Sequence, residues 1–155
     1  MKPSRVRPAA DPGGADVMGG WQHFAHGADI GVRGCADTPS AAFEQAALAL
    51  TAVVTDPAQV RPVESVHIRC SCPDLDMLLY DWMNSIVFQM ATRRMLFSDF
   101  HVRIASGELD AEARGERVDV ARHAPAVEVK GATFTELAVR RSAAGRWCAQ
   151  CVLDV

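Results

Sequence analysis

The stretch HGADIGVRG, residues 26–34, opens the patterned part of the chain. In an extended backbone Ile30 and Val32 fall on one side, and Asp29, Gly31 and Arg33 on the other. That alternation makes residues 21–34 a first strand with a carboxylate on its polar face. The next segment changes period. In TPSAAFEQAALALTAVVTD, residues 38–56, Phe43, Ala46, Ala47, Leu50, Val53 and Val54 recur at helical spacing. Thr38 is placed to cap this helix, Pro39 suits its first position, and Asp56-Pro57 ends it.

The pattern then repeats in kind. SVHIRCS, residues 65–71, alternates as a half-buried strand with Val66, Ile68 and Cys70 on one face. A second helix follows from Asp74, with Leu75, Leu78, Leu79, Trp82, Ile86 and Met90 as its apolar stripe. FHVRIASG, RVDVARHA, AVEVKGATFTELAVRRS and RWCAQCVLDV read as further strands. Two helices among many strands predict an α+β fold: two layers, a mixed β-sheet with two amphipathic helices packed on one face.

Composition narrows the class. The 155 residues, 49% hydrophobic and 23% charged, suit one globular domain. A net charge of −3 gives no electrostatic footprint for nucleic acid, so little direct RNA binding is expected. No apolar run is long enough for a membrane span. Residues 1–20 are rich in Pro, Gly, Ala and Arg and lack the apolar core of an export signal. They read as a disordered leader before a domain over 21–155, with Met18 as an alternative start. Five cysteines without an export signal are expected as free thiols in a reducing cytoplasm. A four-thiolate zinc site from CSC and CAQC fits poorly, since Cys148 and Cys151 face opposite ways on a strand.

None of the five histidines sits in a nucleophile motif, and GVRG lacks the residues that complete a phosphate loop. Carboxylates remain. Asp29 lies on the polar face of the first strand, and Asp154 on the face of the last strand opposite Trp147, Cys151 and Leu153. If those strands are neighbours, the two carboxylates approach one point, where a hard cation would relieve their repulsion. The chain end at Val155 adds further oxygens. Spacing alone leaves the plainer alternative open: two solvated aspartates. His26 is either a turn residue or a ligand, Lys130 by default a solvated lysine, and Glu116 with Asp119 an acidic patch or a polar turn.

Taken in order, these pieces resemble the archease family over residues 21–155. HGADIGVRG is similar to the family's H-T-A-D-I-G opening, and DLDMLLYDWMNSIVF to its L-L-x-x-W-L-N segment. SAAFEQAALALTAVVTD, GERVDVARH, VEVKGATF and the terminal LDV complete the set. The resemblance implies a small cytoplasmic protein that is not an enzyme and assists a GTP-dependent RNA ligase in tRNA splicing or RNA repair. It would promote guanylylation and multiple turnover of that ligase. It also implies a divalent metal, Ca²⁺ before Mg²⁺ or Mn²⁺, on Asp29, Asp154 and the Val155 carbonyl, with Lys130 and His26 as functional surface residues. This reverses the residue-only preference for solvated aspartates.

The chain departs from the family at Gly27, at Ser85 where an acid is common, and at Phe134-Thr135 where Tyr-His is common. Two other readings compete: a stand-alone metal-dependent phosphoesterase, for which His26 is the only nearby base, and a general chaperone, which needs a spare apolar patch.

Overall fold

The computed structural model describes residues 6–7 and 19–155. The α+β class holds, and the strands divide between two sheets. The first sheet contains β1 (Val6–Arg7), β2 (Gly20–His26), β3 (Asp29–Ala36), β7 (Gly131–Ala132), β8 (Ala138–Arg141) and β9 (Trp147–Asp154). Its order is β1-β2-β3-β9-β7, with β8 also on β9. The second sheet contains β4 (Glu64–Ser71), β5 (Met95–Ala105) and β6 (Glu108–Arg117), in the order β4-β6-β5. The long helices are α1 (Pro39–Val54) and α2 (Leu75–Arg93), followed by one turn, α3 (Val120–His123). Apart from Val6–Arg7 and Gly19-Gly20, the leader expected over residues 1–20 lies outside the described residues.

Both long helices form for the reasons their sequences give. The Thr38 hydroxyl accepts the Ala41 N–H at 3.1 Å and caps α1. All six residues of its expected stripe are buried. Asp74 caps α2 through the Asp76 N–H. Leu78, Leu79, Trp82 and Ile86 are buried, with Leu75 and Met90 packed on the edge of the core. The Trp82 indole N–H finds the Phe43 carbonyl at 3.1 Å, so this large ring is buried without an orphaned donor. Helix α1 contacts β3 of the first sheet and β5 of the second, so one core serves both sheets. At Gly34 a Cβ would come within 2.1 Å of the Ala46 backbone nitrogen, so α1 can lie directly on β3 only over glycine.

Several expected strands differ. Residues 21–34 are two strands, not one. β2 and β3 form a hairpin whose last pair is His26 with Asp29, closed by Gly27 at φ 59° and Ala28. RVDVARHA is the end of β6 followed by the turn α3, and VEVKGATF contributes only the two residues of β7. β6 itself lacks an apolar signal. Its inward residues are Leu109, Ala111, Ala113 and Gly115, of which the last three are small.

The expectation of five free thiols is also corrected. Cys35 and Cys148 face each other across β3 and β9 and form a disulfide, which leaves Cys70, Cys72 and Cys151 free. Burial pushes the Cys151 thiol up to about 12, as befits a core residue.

Each helix also guards a sheet edge. The edge strand β5 offers the N–H groups of Val102 and Ile104 outward, and α1 takes them with Glu44 (2.8 Å) and Ser40 (3.1 Å). β7 and β8 are two parts of one edge strand running along β9, interrupted at residues 133–137. Helix α2 lies along it with a stripe spaced by four residues. Asp76 accepts the Val139 N–H at 2.8 Å, Tyr80 stacks on Phe134 at 4.4 Å, and Asn84 binds Ala132.

Candidate functional site

The strand that carries Asp29, β3, and the last strand, β9, are neighbours, as the acidic pair requires. β3 and β9 run antiparallel with Val32 opposite Cys151 and Ile30 opposite Leu153. Carried one residue further, this register sets Asp29 against Asp154. The same row continues outward in both directions: His26 faces Asp29 in the hairpin, and Gly131 faces Asp154 on β7. Facing residues of antiparallel strands emerge on one side of the sheet, roughly 5 Å apart at Cβ. The hairpin thus brings His26 and Asp29 to one face, where a single continuous strand would have separated them.

Most of this sheet face is closed. Phe24, Arg33, Gln150 and Val152 on it are all buried. The Arg33 guanidinium donates to Gln150 Oε1 at 2.9 Å and lies over the Phe24 ring at 4.8 Å. Arg33, expected beside Asp29 on a polar face, is therefore part of a packed layer. The end row is its most open part: His26 and Asp154 are exposed and Asp29 is half-buried.

The backbone around the pair is held in place. The Lys130 N–H donates to the Asp154 carbonyl at 2.8 Å, which ties Lys130 to the pair through the backbone while its side chain is exposed. The Val155 side chain packs against the core and holds the end of β9 in place. Among the described residues, no three His, Cys, Asp or Glu side chains converge as a metal cluster. The donors on offer are two facing carboxylates and the backbone oxygen of Val155. That all-oxygen set suits a hard cation and leaves it coordination positions to fill from outside.

A second acidic site, read from the sequence only as a patch or turn at Glu116 and Asp119, is a closed structural cluster. Glu116 is buried and accepts Arg122 Nη1 at 2.8 Å, Arg122 Nη2 at 2.6 Å and the Arg61 N–H at 2.6 Å. His123 Nδ1 accepts the Asp119 N–H at 2.8 Å, so Nε2 carries the proton and donates to Glu116 at 3.1 Å. The Arg122 fork, then the Arg61 N–H, hold the Glu116 carboxyl down at about 2. Asp119 caps α3 through the Arg122 N–H. Sequence reasoning missed this cluster. Its only signal was an aspartate three residues before an arginine and four before a histidine.

A small α+β domain of two sheets and two guarding helices, with a solvent-facing acidic pair where its first hairpin meets its last strand, is the class of protein defined here. The chain belongs to the archease family. The model of the Archease protein family (MTH1598/TM1083) matches residues 21–155. Protein archease of Pyrococcus furiosus is 35% identical over 139 residues, 87% of this chain and 98% of the relative. That of Methanopyrus kandleri is 40% identical over 139 residues, 87% of this chain and 99% of the relative. The solution structure of Methanobacterium thermoautotrophicum protein 1598 superposes with a TM-score of 0.79 at 32% identity, covering 89% of this chain and all of that one.

Proposed function

We propose that this protein is a metal-binding accessory factor of RNA processing that activates a GTP-dependent RNA ligase in the cytoplasm. Membership of the archease family supports an RNA-processing accessory role. One observation carries the finer reading: the strand register that sets Asp29 against Asp154 at the open end of an otherwise closed face. Two such carboxylates repel each other, and a divalent ion relieves the repulsion. Asp29, Asp154 and the Val155 carbonyl would hold Ca²⁺, or else Mg²⁺ or Mn²⁺. When bound, the ion supplies a positive centre at the surface with positions left for oxygens of the ligase or its nucleotide. The chain's own part is to orient: the β2–β3 hairpin presents His26 beside Asp29, and Lys130, just before β7, is tied by its N–H to the Asp154 carbonyl. These two side chains form the surface that meets the ligase.

The test is ligase guanylylation and product formed per ligase molecule, with the wild type and with Asp29→Ala or Asp154→Ala. Several-fold stimulation by the wild type, lost in both variants with their folds intact, is the expected result. The position of His26 opposite Asp29 also favours a second reading, a stand-alone metal-dependent phosphoesterase with His26 as base. Phosphodiester turnover by the isolated protein with Ca²⁺, Mg²⁺ or Mn²⁺, lost in His26→Ala, would establish that reading in place of the first.

A further inference from the structure

Beside the acidic pair, the two-residue strand β7 is held on its β9 side by a short ladder and by Thr133, whose N–H and hydroxyl both donate to the Val152 carbonyl. On its inner side Gly131 pairs with Asp154 and Ala132 with Leu153, and Lys130 donates its N–H to the Asp154 carbonyl. On its outer side the backbone of Ala132, itself buried, needs partners. Asn84 of α2 provides both. Its Oδ1 accepts the Ala132 N–H at 2.9 Å, and its Nδ2 donates to the Ala132 carbonyl at 3.4 Å. A carboxamide has the same donor and acceptor as a peptide group, so Asn84 acts as a one-residue strand laid against β7.

We propose that Asn84 is a positioning residue of the acidic site. It clamps β7 against β9 and thereby holds the Lys130 backbone at the Asp154 carbonyl. The functional half of this inference rests on the proposed role of Lys130 in activating the ligase. Three features favour position over bulk stability. Asn84 is only half-buried and borders an open cleft between β4 and α2, so water can replace it as a partner for Ala132. The core beneath is formed by Leu79, Trp82 and Met83 on other faces of α2. The neighbouring contacts of the edge strand, Asp76 to Val139 and Tyr80 to Phe134, do not depend on Asn84. A carboxylate at this position would keep the shorter bond and lose the longer one.

Two readouts test this. The first needs no ligase: amide hydrogen exchange in Asn84→Ala. Exchange is expected to accelerate at Lys130 and Ala132, with the β3–β9 ladder unchanged, and Asn84→Asp is expected to restore protection at Ala132. No change at these amides, or acceleration throughout the chain, overturns the clamp. The second is ligase activation in Asn84→Ala, Lys130→Ala and the double variant. A residue acting through Lys130 lowers activation roughly threefold to tenfold alone and adds nothing in the Lys130→Ala background. Losses that multiply, or full activation by Asn84→Ala, overturn the positioning role. If the wild type activates no ligase, the functional proposal fails by itself, and the exchange experiment still decides whether Asn84 clamps β7.

Discussion

Two acidic sites in this molecule make opposite use of their carboxylates. Glu116 is buried and receives four donors from Arg122, Arg61 and His123, so its charge is satisfied by the chain. Asp29 and Asp154 stand against each other in register at the open end of a sheet, and neither forms a salt bridge among the described residues. The first arrangement stabilises the fold through a fixed network. The second leaves negative charge in excess, which a fold tolerates where something from outside neutralises it. The compensated carboxylate belongs to the architecture, and the uncompensated pair is the one the proposed function draws on.

The comparison breaks most visibly at Glu116. Truncation in Glu116→Ala strands Arg122, His123 and the Arg61 N–H together, and is expected to lower Tm by about 10 °C. Thermal unfolding checks it, and calcium affinity is expected to stay as in the wild type. The converse substitution is Asp154→Asn. Without metal its stability is expected to equal or slightly exceed the wild type's, because a repulsion is removed. With Ca²⁺ at 100 times the dissociation constant, the wild type gains about 2.7 kcal/mol and the variant gains nothing. Tm measured in chelator and in calcium separates the two.

Acid sharpens the contrast. The folded-state carboxyl of Glu116 sits at about 2, below its ordinary 4.5. Its contribution is present above pH 4.5 and is lost as pH falls from there toward 2. A stability profile over that window is expected to be flatter in Glu116→Gln than in the wild type. A smaller effect lies at His23. Its Nε2 donates to the Ala49 carbonyl at 2.7 Å, its Nδ1 meets no partner among the described residues, and burial lowers its pKa below 6.5. The folded state thus resists protonating a ring that the unfolded chain protonates readily. Stability is expected to fall as pH drops below 6.5, and His23→Phe is expected to remove that slope, read by denaturant unfolding at pH 7.5 and 5.5.

Both helices, their caps and their buried faces were legible in the sequence, because a 3.6-residue period is a local property. So was the half-buried strand at residues 65–71. Asp29, Asp154, Val155, Lys130 and His26 could be nominated, but the alignment of His26, Asp29 and Asp154 in one row could not, since it depends on which strands adjoin and in what register. The hairpin at Gly27-Ala28 was misread because its turn lacks the Asn-Gly or Asp-Gly signal that ordinarily marks one. β6 was missed because Ala and Gly carry no period. The Cys35–Cys148 pairing and the Asn84 clamp span 113 and 48 residues of sequence, and no local pattern reports contacts of that range.

The most direct measurement is calorimetric titration of metal-free protein with Ca²⁺, repeated on Asp29→Asn and Asp154→Asn. One ion per chain in the wild type and none in either variant, with all three folded, is the predicted result. Equal binding by wild type and variants, or none by the wild type with Ca²⁺, Mg²⁺ or Mn²⁺, would contradict the assignment of this pair as a metal site.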